Sequence, residues 1–501
     1  DGCYQCSLQQ ARLTERMKAM NLEQVFQKGS FRSLIRAAFG GSVVRRAALP
    51  FIRRKAWETL VENDPYDRPF GVRRDKYDIV LSMLDAADKG LRRGYISHKV
   101  LGRIFHSFLD HTVLGTDGQR RATERLGFEP PFFITVSPGK RCNLHCTGCY
   151  ACSDSSAAAK LDWATFERII KEKEQLWGSY FIVISGGEPF LWEDGGRGLL
   201  DMAESHPSEY FLVYTNGTFI TKPVAERLAD LGNLTPAISV EGFEEETDRR
   251  RGKGVHRRIL QAMKNLREVG VPFGISVTGT RDNAEIIMSD EFVDFYFDEQ
   301  GATYGWIFQY MPIGRRHSLA QMVTPEQRLM MYERTWRFVR ERKVFVADFW
   351  NSGTLSSGCI AAGRPGGGYF YITWDGTVTP CVFIPYSTEN IYDIFRSGEN
   401  LDTILHSPLF KRIRRWQDDY GFARPAEEAC NWLCPCVIRD HFGTFLHAVQ
   451  DTEAKPIDEE AAAALGDPEY HAGMIAYGNE YDRLTETVWS EHYLSSELVR
   501  S

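Results

Sequence analysis

From residue 131 onward the apolar positions fall into short runs, and the runs recur. FFITVS, FIVISGG, FLVYTNG, PAISVEG, PFGISVTG and YGWIFQYMP follow one another between residues 132 and 312. Each is rich in β-branched or aromatic residues and stops at Gly, Ser, Asn or Pro, which is how strands read. The stretches between them, such as DWATFERIIKEKEQL and KPVAERLADLG, carry apolar residues at helical spacing instead. Six strand–helix repeats predict an α/β fold with a parallel sheet and helices outside, curved into a partial (β/α)6 barrel of the TIM type. In such barrels the working residues gather at the C-terminal ends of the strands.

The flanks read differently. Residues 1 to 130 predict a helical N-terminal region with no alternating strand. Within it, FRSLIRAAFGGSVVRRAALPFIRRKAW (residues 31–57) places Phe31, Leu34, Ile35, Ala38 and Phe39 on one helical face. A second apolar set, Val43, Val44, Ala47, Ala48 and Phe51, follows the Gly40–Gly41 break. Eight Lys or Arg and no acid lie between Lys28 and Lys55. The barrel is expected over 131–345 and a Gly-, Pro- and Cys-rich domain over 346–450. An acidic, helical tail over 451–501 shows no chemistry. YFYITWDGTVTPC predicts a hairpin that turns at Asp375–Gly376.

Composition narrows the class. The 501 residues are 43% apolar and 25% charged, with a net charge of −7. That balance is globular, and no nucleic-acid partner is expected of it. There is no apolar run of membrane-spanning length and no signal peptide. The opening DGCYQC has no Met, so the start reads as trimmed or processed. The eleven cysteines are bunched, which points to metal in a reducing cytoplasm and not to a disulfide framework.

The densest bunch is RCNLHCTGCYACSD, residues 141–154. Cys142, Cys146 and Cys149 follow a Cys-x3-Cys-x2-Cys spacing on the loop after the first strand. Structural zinc favours four ligands in two separated pairs. Three thiolates on one loop can hold three corners of a four-iron cube and leave one iron open to a ligand. Cys152 could supply a fourth ligand or be a plain thiol, and His145 reads as a neighbour of the site.

This loop, with Ser185-Gly186-Gly187-Glu188-Pro189 at the end of the second strand, resembles the radical S-adenosylmethionine (radical SAM) enzymes. The resemblance covers roughly residues 130 to 445. It implies a 4Fe-4S cluster on Cys142, Cys146 and Cys149 whose open iron binds S-adenosylmethionine. Reductive cleavage would then give a 5′-deoxyadenosyl radical that takes hydrogen from an unactivated carbon. It further implies an electron donor such as a flavodoxin or ferredoxin. Gly186, Gly187, Glu188 and Pro189 would receive the ammonium group of the cofactor. Thr215, Asn216, Gly217, Ser239, Glu241, Ser276 and Thr278 resemble the family's ribose and carboxylate contacts, although polar strand ends also serve as simple caps. Gln309, with Met311 and Pro312, is expected to line the substrate side or touch adenine. The family often has an aromatic just before the third cysteine. Here that place holds Gly148, and Tyr150 just after it is kept among the cofactor-binding candidates.

Cys359 and Gly376-x4-Cys381 resemble the opening of the SPASM or twitch extension, which carries auxiliary iron–sulfur clusters. Five cysteines here support one auxiliary 4Fe-4S cluster. Cys359, Cys381 and Cys436 are its first ligands, with Cys434 or Cys430 as the fourth and zinc as the competing metal. Cys3 and Cys6 form a lone CxxC. The charge run EEETDRRRGKGVHRR (residues 244–258) reads first as a solvated helix start and second as a mouth over the barrel. Asp348, Arg439, Asp440 and His441 flank the cysteine-rich region, and spacing selects none of them as an acid.

The substrate expectation rests on residues 28–57. A basic amphipathic segment suits an anionic membrane surface, so a membrane lipid is the first substrate expected, with the enzyme peripheral on the inner face of the membrane. The alternative is a ribosomally made peptide. A non-catalytic iron–sulfur electron carrier is the alternative of a different class, and the Gly-Gly-Glu-Pro turn argues against it.

Overall fold

The computed structural model describes residues 42–64, 66–104, 117–315 and 318–495. The chain divides into two compact units after Asp64. In the first, the described residues begin with helix α1, Ser42–Trp57. Its buried row is Arg45, Ala48, Ile52 and Ala56, whereas Ala47 and Phe51 are only half-buried. Among the described side chains, the buried row therefore differs from the apolar face expected from the sequence. Residues 28–41, the rest of the expected interfacial segment, lie outside the described residues, as do Cys3 and Cys6. Among the described residues, no helix is long and apolar enough to cross a membrane.

The second unit opens with helices α2 (Phe70–Arg92), α3 (His98–Ile104) and α4 (Asp117–Leu126). A parallel sheet follows. Its strands are β1 (Ile134–Val136), β2 (Phe181–Ile184), β3 (Tyr210–Thr215), β4 (Leu234–Val240), β5 (Gly274–Gly279) and β6 (Tyr304–Gln309). These are the six expected strands, paired in chain order. A seventh parallel strand, β7 (Val346–Asp348), joins β6. Three residues give too short an alternation to stand out in the sequence.

The helices between the strands begin and end where local chemistry dictates. Helix α5 (Trp163–Trp177) starts at Asp162, whose carboxylate accepts the Thr165 amide at 2.9 Å, and stops at Gly178 in the left-handed region. Helices α6 (Lys222–Leu231), α7 (Glu244–Arg251), α8 (Val255–Val269) and α9 (Pro325–Arg340) complete the outer layer.

The expected hairpin is present. β8 (Tyr371–Ile372) runs antiparallel to β9 (Thr377–Thr379), and Gly376 takes a positive φ of 81° at the turn. β8 also pairs in parallel with β1. The cysteine-rich segment thus extends the barrel's own sheet.

Alternate strand residues divide into two separate packings. Ile182, Ile184, Phe211, Val213, Ile238, Ile275, Val277 and Ile307 pack with helix residues such as Phe166, Leu228 and Ile259 in the main core. Val183, Leu212, Ala237 and Tyr304 form their own cluster with Phe133, Phe181, Tyr214, Trp306 and Phe345, and no helix residue joins them. The second set is the barrel interior. This period of two assigns every other strand residue to one face.

One buried ion pair ties α5 to the base of β3. Lys173 Nζ donates to both carboxylate oxygens of Glu209, at 2.7 and 2.8 Å, and to the Ser179 carbonyl at 2.7 Å. Both side chains are fully buried. Removing one partner strands a charge, whereas removing both does not. Lys173→Met should lower unfolding free energy in a urea titration by about 3–5 kcal/mol. Lys173→Met combined with Glu209→Leu should recover most of that loss.

Candidate active site

The cysteine loop is held by backbone contacts before any metal is considered. Gly187 N donates to the Gly139 carbonyl at 3.0 Å and Glu188 N to the Arg141 carbonyl at 2.9 Å. A Cβ on Gly187 would lie 2.2 Å from Arg141 O, and one on Gly186 would lie 2.8 Å from Gly139 O. Both glycines are required by this approach of backbone to backbone. Farther along the loop, Arg315 donates to the Cys146 carbonyl at 2.9 Å and to the Ser153 carbonyl at 2.6 Å. Gly148 has a φ of 65°, and its missing side chain leaves room for the Tyr310 ring at 2.8 Å. Tyr310, just beyond β6, thus packs against the position just before the third cysteine.

Cys142 is buried, and Cys146 and Cys149 are half-buried. The Cys142 sulfur accepts the Leu144 amide at 3.4 Å and faces Asn216 Nδ2 at 3.9 Å. Burial pushes the Cys142 thiol up to about 11 and raises Cys146 as well. A buried thiol binds metal only as thiolate, so these groups need a cation to ionise against. An all-sulfur donor set with amide N–H groups on one sulfur fits an iron–sulfur cluster.

Glu188 sits behind the loop, fully buried. It accepts from Thr215 Oγ1 at 2.7 Å, the Asn216 amide at 2.8 Å and the Phe190 amide at 3.2 Å. Burial outweighs these bonds and lifts its carboxyl to about 7. Asn216 Nδ2 also donates to Asn143 at 2.9 Å, and Thr218 joins the same knot. Tyr150 hydroxyl reaches Ser185 Oγ at 2.5 Å and accepts the Gly186 amide at 3.2 Å. Pro189 is buried in the turn that follows Glu188.

Ser239, Ser276 and Thr278 lie on the inward face of β4 and β5, half-buried. Glu241, one step beyond β4, is buried and bonded to Arg250 at 2.7 Å and Arg251 at 2.5 Å. The expectation that residues 244–258 form a solvated helix start is thus corrected for its last turn. Arg251 is the largest charged influence on the Cys146 thiol and lowers its pKa against the effect of burial. Sequence reading missed this pair because their partner is nine and ten residues back across a turn.

Gln309 does not face the interior. It shares the outward side of β6 with Ile307, and its Nε2 donates to Asp348 Oδ2 at 2.7 Å. Asp348 also accepts from Asn351 at 3.1 Å, Asn351 accepts from Arg328 at 3.1 Å, and Arg328 pairs with Asp440 at 2.5 Å. Asp440 in turn accepts the Cys436 amide at 3.0 Å. This buried network joins the end of the barrel to the last cysteines.

Among those cysteines, Cys359 and Cys381 are the thiols that act on Cys436, whose own thiol burial pushes far up. Cys381 is pushed up to about 12 by burial, and its sulfur meets Tyr369 hydroxyl at 2.9 Å and the Phe383 amide at 3.5 Å. Cys434 points toward Thr485 Oγ1 at 3.5 Å and Asn431 Nδ2 at 3.7 Å. Cys430 is half-buried, and burial raises its thiol.

The tail after residue 450 is helical, with α11 (Glu459–Leu465) and α12 (Pro468–Trp489) following α10 (Phe442–Asp451). It also shapes a site. Asp458, Glu460, Ala461, Ala464 and Tyr470 border a cleft of about 100 Å³ together with Lys140, Tyr150, Trp374 and Tyr386. Cys152, half-buried with a positive φ of 47°, has Asp458 and Lys140 among its charged neighbours.

Known proteins place this arrangement. Residues 136–293 match the radical SAM superfamily, and residues 363–436 match SPASM, an iron–sulfur cluster-binding domain. The chain is 30% identical over 318 residues to mycofactocin maturase MftC of Mycolicibacterium smegmatis, covering 62% of this chain and 79% of that one. The chain belongs to the radical SAM superfamily and carries a SPASM domain. It is therefore a radical SAM enzyme, with a 4Fe-4S cluster, an auxiliary iron–sulfur cluster and S-adenosylmethionine as its cofactors. Two further relatives are more distant. An AdoMet-dependent heme synthase of Methanosarcina barkeri is 26% identical over 280 residues, half of this chain and 76% of that one. Sporulation killing factor maturation protein SkfB of Bacillus subtilis is 28% identical over 271 residues, half of this chain and 60% of that one.

The glycine contacts give a direct test. Gly187→Ala cannot keep the loop at its present distance, so iron bound after anaerobic reconstitution should fall by about half. Gly102→Ala, where a Cβ meets nothing within 4 Å, should bind iron as the wild type does.

Proposed function

We propose that this enzyme modifies a ribosomally made peptide by abstracting hydrogen from an unactivated carbon. The observation that carries this reading is the match to a maturase along 79% of that enzyme's length. The likeness to a second maturation protein supports it. The heme synthase matches at lower identity, 26% against 30% for the maturase. The maturase and the maturation protein favour a peptide over the lipid expected from residues 28–57.

In this proposal Cys142, Cys146 and Cys149 hold the radical cluster. Cys359, Cys381 and Cys436 hold the auxiliary cluster, with the fourth ligand from Cys430 or Cys434. The cofactors together supply a 5′-deoxyadenosyl radical as the hydrogen acceptor. Glu188 receives the ammonium of S-adenosylmethionine. A carboxyl kept near neutrality by burial becomes a full carboxylate when a cation docks beside it. Asn216, Ser239, Ser276 and Thr278 orient the ribose and carboxylate ends, and Glu241 holds Arg250 and Arg251 in place near the cluster loop. Tyr150, tied to Ser185 and Gly186, closes the loop side of the barrel against water. A flavodoxin or ferredoxin in the cytoplasm supplies the electron.

Two experiments test the assignment. Changing Cys142, Cys146 and Cys149 together to Ala should abolish dithionite-driven formation of 5′-deoxyadenosine while about half the iron remains bound. Retained cleavage in that variant would overturn the ligand set. For the substrate, 5′-deoxyadenosine formation should rise with the small-peptide fraction of the host and fall back after protease treatment. A rise confined to a chloroform lipid extract would return the lipid reading.

A further inference from the structure

Within the strands the inward positions of the barrel are all uncharged, being aromatic, aliphatic, hydroxyl-bearing or glycine residues. One step beyond β4, in line with Ser239, Glu241 is paired with Arg250 and Arg251. The upper part of this interior carries both hydroxyls and rings. Ser185, Ser239, Ser276 and Thr278 supply the hydroxyl groups, and all are half-buried. The rings stand beside them, with Phe308 paired in register with Thr278 and Tyr214 on β3 between β2 and β4. Phe308 lies 5.4 Å from Tyr214, 5.5 Å from Phe349 and 6.0 Å from Phe383. Phe349 and Phe383 are 5.6 Å apart, and Tyr150 is 6.5 Å from Phe383.

These rings span the interval between the two sets of thiols. Tyr150 follows Cys149 directly in the chain. At the other end, the Phe383 amide donates to the Cys381 sulfur. Phe308, Phe349 and Phe383 each stay partly exposed although the helices cover the other side of the sheet. For Phe308 and Phe349, which follow the inward alternation of β6 and β7, this exposure is toward the interior. Trp306, one turn of the alternation below Phe308, has its indole nitrogen buried without an acceptor among the described residues.

The hydroxyls suit the ribose of the cofactor, and the cluster of Phe308, Phe349 and Phe383 offers an apolar face to the substrate. A charged side chain packed against these rings would lose its water and gain no counter-ion from them. A ring or a branched aliphatic chain would gain apolar contact and, for a ring, edge-to-face geometry. The free Trp306 N–H could serve a carbonyl or hydroxyl on such a group.

Resting on the peptide reading above, we propose that the barrel interior receives one uncharged side chain of the substrate, aromatic or large aliphatic, and excludes charged ones. Phe308, Phe349 and Phe383 are the residues that set this specificity.

The test uses anaerobically reconstituted enzyme with S-adenosylmethionine and saturation-transfer NMR. The probes are acetylated, amidated pentapeptides Ala-Ala-X-Ala-Ala with X as Phe, Leu, Lys or Glu. Phe and Leu side chains should show about tenfold more transfer than Lys and Glu. Phe308→Leu should keep that order, and Phe308→Glu should raise Lys above Phe. Equal transfer to all four, a wild-type preference for Lys or Glu, or an unchanged order in Phe308→Glu would overturn the proposal. Two non-peptide probes, p-cresol and n-butylammonium, separate it from the peptide reading. Preference for p-cresol without binding of any pentapeptide supports the uncharged pocket while removing the peptide. Equal binding of the two overturns the pocket itself.

Discussion

Between Gly186–Gly187 and the chain at Gly139–Arg141 there is no room for a side chain. The amide of Gly187 meets the Gly139 carbonyl, and a Cβ there would overlap the Arg141 oxygen. This contact brings the end of β2 against the start of the cysteine loop. The orientation of Cys142, the burial of Glu188 and the position of Tyr150 over Gly186 all follow from it. The glycines act through what they lack, and the site is assembled mainly from backbone.

Around that contact the electrostatics are arranged by burial. Glu188 is lifted to about 7 and Cys142 to about 11 because neither can be hydrated. A cation beside either group would favour its ionised form. Glu241 is the opposite case, since Arg250 and Arg251 already accompany it. The same economy of charge holds the auxiliary region. Arg328 and Asp440 are fully buried as a pair, and Asp440 reaches the Cys436 amide. A buried pair of this kind fixes geometry more than it adds stability. Here it fixes the loop that carries Cys434 and Cys436 to the outer side of β6 and β7.

The cysteine-rich segment is not an appendage. β8 extends the barrel sheet next to β1, and Phe383 inserts beside Phe308, Phe349 and Trp350. The barrel mouth is therefore completed by the SPASM region and by the tail. That tail looked chemically empty because its contribution is shape. Ala461 and Ala464 line a cleft without any reactive group of their own.

The sequence by itself determined what depends on neighbours in the chain. Six strands, the Asp375–Gly376 turn, the three-cysteine loop and the Gly-Gly-Glu-Pro turn were legible because each is a pattern of a few adjacent residues. What only the tertiary structure decided is which side each residue serves and which distant group it meets. Both faces of this sheet are buried, so alternation alone could not tell that Gln309 points out toward Asp348 while Phe308 points in. A charge run reads as solvated until a carboxylate such as Glu241 is seen buried within reach of its last two arginines. Local order is written in residue spacing. The pairing of Arg251 with Glu241, or of Arg328 with Asp440, is decided by desolvation, and desolvation exists only once the chain has closed around both partners.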